Sequence, residues 1–208
     1  MPLQNRVLPD GEIVAIPERG LFTGNRGILH DPARRTLLPR RWTSRRWIVC
    51  TRSWKGVRRD VMGGRSWTEL FFLDEATALA AGHRPCFYCR RAEARRFQAA
   101  WVAGTGGAGD ADAMDAVLHA ERLDGRAKRR HELQVPLREL PDGAMVAAAD
   151  GMFAILAGRP WRWTPGGYHP APGVPGGLSL LTPPSTVRAL AAGYRPVLHP
   201  SLGDAADG

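Results

Sequence analysis

Two of the three cysteines in this 208-residue chain are separated by two residues, and this spacing constrains the fold more than any other feature of the sequence. Cys86 and Cys89 lie in the segment Gly82–Cys89, which reads GHRPCFYC. A Cys-x-x-Cys turn points two thiolates at one metal ion, and zinc completes a tetrahedron with two further ligands. The spacing therefore predicts a zinc site built around this turn.

The remaining metal ligands must come from elsewhere in the chain. Cys50 is the third cysteine and the expected third ligand. Zinc usually has four ligands, so a histidine, a carboxylate or a water must complete the shell. His30, which precedes a strongly basic segment, is the predicted fourth ligand. The alternative for a lone histidine is an ordinary hydrogen-bonded side chain.

The cysteine count and the N-terminus bear on the cellular compartment. Three cysteines cannot all pair within one chain, which favours reduced thiols over a disulfide framework. The segment Met1–Arg6 lacks the basic and then apolar pattern of a secretion signal. No run approaches the ~18 apolar residues of a membrane helix. A cytoplasmic location without a membrane partner is therefore expected.

Local patterns predict an α+β fold: a small zinc-stapled sheet with short helices, followed by a hairpin-rich C-terminal half. Hydrophobic residues make up 44% of the chain, enough for a packed core. Strands are predicted over residues 12–16, 46–50, 66–73, 145–149 and 152–156, and helices over 75–81, 90–102 and 114–123.

Several residues with special backbone preferences predict where elements begin and end. Asp74 is a good N-cap for the helix at 75–81, and Gly82 is a preferred residue for its C-terminus. The dipeptide Asp150-Gly151 is a signal for a two-residue hairpin turn. The Pro- and Gly-rich region 158–177 is predicted to be a loop held in place by its aromatic residues.

The Gly-rich stretch within residues 103–112 is the best candidate for a linker. It predicts a zinc-binding, basic domain over residues 1–102 and a second α+β domain over residues 113–208.

Two short sequences recur along the chain in the same order. Residues 78–85 are repeated almost unchanged at 189–196, and residues 8–11 at 140–143. A degenerate duplication is one interpretation. The other is coincidence, because Ala-rich helices that end in Gly are common and Pro-Asp-Gly turns more so.

Positive charge is concentrated in one segment. The net charge is +9, and between Pro32 and Arg59 there are ten basic residues and no acidic one. Guanidinium groups bind phosphate oxygens in a bidentate manner and release condensed counterions, so this segment predicts a nucleic-acid partner. An aromatic ring among these cations is predicted to stack on unpaired bases, with burial in the core as its alternative. The predicted nucleic-acid-binding residues are Arg34, Arg35, Arg40, Arg41, Arg45, Arg46, Arg52, Lys55, Arg58, Arg59 and Trp42.

Two further sequence features are weaker indications of anion binding. The sequence Gly24–Gly27 has the composition of an anion-binding loop but is too short to count as a phosphate motif without helix context. Residues 124–131 form a second, smaller basic cluster, which either extends the first or is simply solvated.

The segment 75–89 resembles the metal-binding domain of the Ada family of DNA alkylation-repair proteins, in which an Ala-rich helix runs into Gly-aromatic-Arg-Pro-Cys-x-x-Cys. In that family four cysteines hold zinc, and one of them accepts a methyl group from a DNA phosphotriester. Cys86 and Cys89 match the second pair of ligands, and Cys50 matches one member of the first pair. The resemblance thus implies zinc and DNA, in repair or processing, but leaves methyl acceptance without a complete ligand set.

A second motif supports a different hypothesis. His119, Glu121, Cys86 and Cys89 reproduce both halves of the nucleobase-deaminase signature, H-x-E and P-C-x-x-C. In such an enzyme the histidine and cysteines hold zinc and the glutamate moves protons. Here H-x-E follows P-C-x-x-C instead of preceding it.

The leading hypothesis is a zinc-containing nucleic-acid-binding protein, with DNA favoured as its partner. A zinc-dependent deaminase or hydrolase is the first alternative. A non-catalytic zinc scaffold that binds RNA or protein is the second, and the sequence leaves open whether the chain is an enzyme.

Overall fold

The computed structural model describes residues 1–56 and 59–202. It confirms the α+β class and the antiparallel, hairpin-rich C-terminal half. The strands are β1 (Arg6–Val7), β2 (Ile13–Val14), β3 (Phe22–Asn25), β4 (His30–Asp31), β5 (Thr36–Leu37), β6 (Ile48–Thr51), β7 (Leu70–Phe72), β8 (Arg84–Pro85), β9 (Leu123–Asp124), β10 (Ala127–Lys128), β11 (Met145–Ala148), β12 (Gly151–Leu156), β13 (Arg159–Thr164), β14 (Gly167–Pro170) and β15 (Ser179–Leu180). The helices are α1 (Glu75–Ala80), α2 (Arg91–Thr105), α3 (Ala111–Arg122) and α4 (Pro184–Ala191), with 3-10 turns at Leu137–Glu139 and Pro200–Leu202.

The N-terminal part of the chain forms a mixed six-stranded sheet with the strand order β2-β1-β7-β3-β6-β8. β6 pairs antiparallel with β3, so Cys50 lies opposite Thr23. β6 also pairs in parallel with β8, where Val49 lies opposite Pro85. The next residue, Cys86, donates its amide to the Val49 carbonyl. This parallel register brings Cys86 beside Cys50.

The C-terminal part forms an antiparallel sheet with the order β14-β13-β12-β11-β15, and the predicted hairpin lies within it. Its turn is shifted by one residue from the prediction. Ala148 pairs with Gly151, so the turn residues are Ala149 and Asp150.

The prediction of a loop over residues 158–177 is wrong for residues 159–170, which contain β13 and β14. Trp161 and Trp163 are buried on one face of β13, while Arg162 between them lies on the other. This alternation is the pattern of a strand with one buried face. The abundance of Pro and Gly obscured it.

Helix α1 lies between the two sheets and is buried along its whole length. Ala78 packs with the core of the six-stranded sheet, and Ala76 and Ala80 pack with one face of the five-stranded sheet. Leu79 packs with α2, α3, α4 and the other face. Small residues allow this close approach on every side. Asp74 caps the helix as predicted, since its Oδ1 accepts from the Thr77 amide at 2.8 Å.

Much of the predicted linker is helical. Helix α2 continues to Thr105 and ends at Gly106, which has the left-handed conformation, and α3 begins at Ala111 after the N-cap Asp110. Only residues 106–110 lie outside the helices. Side chains from both sides of this connection share one apolar cluster, and the division into two domains stays a prediction about independent folding.

The two recurring segments end their helices in the same way. The amides of Gly82 and His83 donate to carbonyls in the last turn of α1, and those of Gly193 and Tyr194 do so in α4. Both glycines have positive φ, which accounts for glycine at each position. The surroundings differ, because a Cβ on Gly82 would lie 2.7 Å from Cβ of Arg122, whereas nothing lies within 4 Å of one on Gly193.

This difference predicts unequal effects of the same substitution. Gly82→Ala is expected to reduce the free energy of unfolding by about 1–3 kcal/mol more than Gly193→Ala, because both strain the backbone but only the first overpacks against Arg122. Urea unfolding of the two variants measures the difference. Equal losses would contradict the close approach of Arg122 to Gly82.

Two adjacent carboxylates at the start of α1 hold the C-terminal segment in place. Glu75, which is fully buried, accepts two hydrogen bonds from Arg90 at 2.8 and 2.9 Å, one from the Tyr194 hydroxyl at 2.6 Å and one from the Val197 amide at 2.9 Å. The Asp74 carboxylate accepts from the Tyr168 hydroxyl and the His199 amide. Residues more than 90 positions away thus complete the N-terminus of this helix.

Candidate metal centre

The three cysteines converge at one edge of the six-stranded sheet, where their sulfur atoms all lie within 4.8 Å of one another. Cys50 comes from β6, Cys86 follows β8, and Cys89 immediately precedes Arg90, the N-cap of α2. In residues 1–56 and 59–202 no other three His, Cys, Asp or Glu side chains are grouped as closely. A metal ion can therefore be held here.

A buried ion pair fixes β8 next to this group. Arg84 donates two hydrogen bonds to the Asp115 carboxylate of α3, at 2.9 and 2.7 Å, and both side chains are almost inaccessible to solvent. Bidentate pairs of this kind are geometrically specific. The Arg-Pro of the sequence motif thus positions the strand from which Cys86 emerges.

Hydrogen bonds among the three thiols shift their pKa values in different directions. Contacts from Cys50 and Cys89 lower the pKa of Cys86, and backbone amides of Cys89 and Tyr88 contribute in the same direction. The hydrogen bonds to Cys86 and Cys89, together with burial, raise the pKa of Cys50. The hydrogen bond with Cys50 lowers the pKa of Cys89, but that with Cys86 and burial outweigh it, so the net shift is upward.

The lowered pKa of Cys86 favours its thiolate over those of Cys50 and Cys89. A metal ion must displace thiol protons, so its binding releases protons and weakens as the pH falls. Three cysteine sulfurs are a soft donor set, which zinc accepts.

The structure places His30 elsewhere, which corrects its assignment as fourth ligand. Its Nδ1 lies 2.6 Å from the Thr68 hydroxyl and its Nε2 lies 2.9 Å from the Gly64 carbonyl oxygen. Both ring nitrogens are thus engaged, and His30 is not part of the cysteine group. It is a buried hydrogen-bonded side chain that helps to fix residues 64–68.

The deaminase constellation is not assembled either. His119 contacts Arg122 and the Trp42 ring and does not belong to the cysteine group. Glu121 accepts hydrogen bonds from the amide and hydroxyl of Ser185 in the first turn of α4, at 3.0 and 2.6 Å. The H-x-E sequence therefore has structural roles at α3 and α4.

A cavity of about 310 Å³ adjoins the three cysteines and is also lined by aromatic and basic side chains. The ring centroids of Trp54 and Tyr88 are 5.8 Å apart, and 72% of Tyr88 is exposed. The guanidinium of Arg59 lies over the Trp67 ring at 4.2 Å. The other lining residues are Thr23, Asn25, Ile48, Thr51 and Arg52.

The buried Nε1 of Trp54 has no hydrogen-bond partner among the described residues. Buried donors are nearly always paired, so this unpaired atom is an exception, on a residue that lines the cavity.

The predicted nucleic-acid-binding residues do not form one surface. Arg52 and Arg59 line the cysteine cavity, and Lys55 lies 5.7 Å from the Trp54 ring. Arg41 and Trp42 line a second cavity, described below. Arg35 pairs with Asp60 and Arg46 with Asp112, while Arg40 donates to a backbone carbonyl. Arg34 and Arg45 are exposed, and Arg58 lies outside the described residues.

Sequence reasoning missed Trp67 and Tyr88 as parts of the site. Tyr88 stands between the two cysteines of the motif, so its place beside a metal could have been inferred. Trp67 had no such signal, because it lies outside the cysteine motif, in the segment that precedes β7.

No protein-family model, curated protein or solved structure matches this chain. Its function is therefore argued from the site. Among the described residues, none of the helices combines the length and apolar character needed to cross a membrane.

Proposed function

We propose that this protein is a zinc-containing nucleic-acid-binding protein that acts on DNA in repair or processing, and that it takes an unpaired nucleotide into the cavity beside the three cysteines. One observation supports the proposal above all. A metal-binding group, three aromatic rings and two arginines line the same space of about 310 Å³.

The aromatic rings are suited to hold a base. Tyr88 leaves most of its ring in solvent, although large aromatic side chains are usually buried, and it lies next to Trp54. Base stacking on such rings is tolerant of sequence because every base has a π-face. The unpaired Nε1 of Trp54 offers a hydrogen bond to an edge or a phosphate of the same nucleotide.

The arginines are suited to hold the backbone. Arg59 stacks on Trp67, which keeps its guanidinium group at the cavity, and Arg52 is fixed by a hydrogen bond of 2.9 Å to the Gly20 carbonyl. Within the described part of the chain neither forms a salt bridge, so their charges are available to phosphate. Lys55 adds a cation beside Trp54.

Three cysteine thiolates leave one position of a zinc tetrahedron for a water or a ligand atom, and zinc bound there supplies a Lewis acid. The chain's own residues would bind and orient the nucleotide beside it. DNA rather than RNA, and repair or processing as the context, rest on the resemblance of residues 75–89 to the Ada metal-binding domain.

Binding of a fluorescent single-stranded DNA oligonucleotide tests the proposal. Tyr88→Ala is expected to weaken binding by the loss of one stacking contact, about 1–3 kcal/mol or roughly 5- to 150-fold in Kd. Tyr88→Phe keeps the ring and is the matched control, expected to bind like the unmodified chain. Fluorescence anisotropy measures both.

Salt dependence provides a second arm of the same test. Arg59→Gln is expected to reduce the slope of log K against log salt by about one phosphate contact, whereas Arg138→Gln on an exposed surface leaves it unchanged. Equal affinities of Tyr88→Ala and Tyr88→Phe, or an affinity for DNA independent of salt, would contradict the proposed function.

A further inference from the structure

A second cavity, of about 40 Å³, has a lining dominated by positive charge. It shares no lining residue with the cysteine cavity. Its basic members are Arg26, Arg41, Arg122, Arg126 and Lys128, and its acidic members are Asp10 and Glu12. The cations thus exceed the carboxylates by five to two.

Two of these arginines are buried against one indole ring. The guanidinium carbons of Arg26 and Arg122 each lie 4.0 Å from the centroid of the Trp47 ring. Arg26 is 2% exposed and Arg122 is fully buried. In the described residues neither forms a salt bridge, which is unusual because buried charges are normally paired with opposite ones.

The hydrogen bonds of the two arginines go to neutral groups. Arg26 donates to the Gly11 carbonyl and to Nε2 of His83, both at 3.2 Å. Arg122 donates to the carbonyls of Gly82 and Arg45, at 3.0 and 2.7 Å. These contacts fix the orientation of the guanidinium groups without neutralising them.

Two nitrogen atoms of these arginines have no hydrogen-bond partner in the part of the chain that the structure describes. Nη2 of Arg26 and Nε of Arg122 are buried and lack an acceptor among the described residues. An unsatisfied buried donor on a charged group is costly, and native structures contain few of them. Both side chains line the cavity, so an acceptor placed in it can satisfy them.

Lys128 adds a third cation to the same wall. It is half-buried, and its Nζ donates to the Ala80 carbonyl at 2.7 Å. Burial, together with Arg26 and Arg122, lowers the pKa of Lys128 to about 7. Burial also lowers the pKa of Arg26 and of Arg122 to about 9 in each case. Cations outnumber carboxylates along this wall and repel one another, which favours an anion among them.

We propose that this cavity binds a phosphate group. A buried water occupies roughly 10–15 Å³ on the same measure of volume, so the cavity has room for one small tetrahedral anion and not for a whole nucleotide. The arginine side chains supply fixed planar donors of the kind that match phosphate oxygens, and Lys128 supplies a point charge. The phosphate is either free or the terminal phosphate of a nucleic acid.

The geometry distinguishes this site from the proposed DNA cavity. Arg26 directly follows β3 and Trp47 directly precedes β6, next to the paired residues Asn25 and Ile48, and successive side chains of an extended chain point to opposite sides. Asn25 and Ile48 line the cysteine cavity, while their neighbours line this one. The inference does not depend on the proposed function.

Thermal unfolding in inorganic phosphate, compared with chloride at equal ionic strength, tests the inference. Phosphate is expected to raise the Tm in proportion to the logarithm of its concentration above Kd, by roughly 5–10 °C at a concentration 100 times Kd. Lys128→Met is expected to unfold in chloride at an unchanged or higher Tm, because an uncompensated charge is removed, and to lose the response to phosphate. A purely structural lysine would show the opposite pattern.

Two further variants keep the test decisive. Arg126→Met, at an exposed position of the lining, is expected to weaken phosphate binding at least tenfold without unfolding the chain. Arg138→Met removes an equally exposed arginine outside the cavity and is expected to respond like the unmodified protein. The inference is overturned if the unmodified chain shows no greater Tm in phosphate than in chloride, or if all three variants respond alike.

Competition identifies the source of the phosphate. A 5′-phosphorylated oligonucleotide that displaces inorganic phosphate more strongly than its 5′-hydroxyl counterpart assigns the site to a nucleic-acid end. Equal competition by the two oligonucleotides assigns it to free phosphate.

Discussion

Purified protein is expected to contain about one zinc ion per chain, and Cys50→Ser is expected to bind zinc more than about 100-fold more weakly. Loss of an outer-shell partner of a metal ligand already costs roughly 10- to 100-fold in affinity, and Cys50 is itself one of three ligands. Zinc analysis of protein prepared without chelator, followed by titration with a competing chelator, measures both quantities.

The matched control for this prediction is His119→Gln. His119 belongs to the competing deaminase motif but lies outside the cysteine group, so this variant is expected to keep its zinc. A Cys50→Ser variant with unchanged zinc affinity would contradict the centre described above. Loss of zinc in His119→Gln would instead support the deaminase hypothesis, in which His119 is a zinc ligand.

Substitution of Glu75 by Ala is expected to reduce the free energy of unfolding by about 3–5 kcal/mol, because it leaves the buried Arg90 guanidinium without its counter-ion. The substitution also removes the acceptor of the Tyr194 hydroxyl and of the Val197 amide, so the C-terminal segment loses contacts as well. Urea unfolding followed by circular dichroism measures it.

Glu93→Ala is the matched control, because Glu93 forms an ion pair with Arg96 on the surface of the neighbouring helix. Exposed pairs contribute about 0–1 kcal/mol, so the control is expected to be nearly as stable as the unmodified chain. Similar losses in the two variants would show that the Glu75 contacts do not hold the C-terminal segment.

Local sequence signals predicted the features that depend on nearby residues. Asp74 and Gly82 mark the ends of α1 because capping involves only a few neighbouring amides. The dipeptide Asp150-Gly151 predicted the hairpin, with an error of one residue in the turn. The meeting of Cys50 with the Cys86–Cys89 turn was predicted from the chemistry of zinc, which needs several ligands at one point.

Features that depend on long-range packing could not be predicted from local sequence signals. The parallel pairing of β6 with β8 decides which residues face the metal centre, and no local pattern specifies it. His30 and Glu121 were assigned to metal chemistry by residue type, yet their partners Thr68 and Ser185 lie 38 and 64 positions away. The buried charges of Arg26 and Arg122 likewise become visible only when the tertiary structure brings both to Trp47.

The hydrogen bonds that Asp74 and Glu75 accept at the start of α1 have a consequence for the order of events during synthesis. Asp74 and Glu75 remain without several of their hydrogen-bond donors until residues 194–199 have emerged from the ribosome. The cysteine turn, which follows α1 and β8, therefore acquires its final support only after residues 194–199 have been synthesised. A nascent chain arrested before that point would present its thiols on an unfinished scaffold.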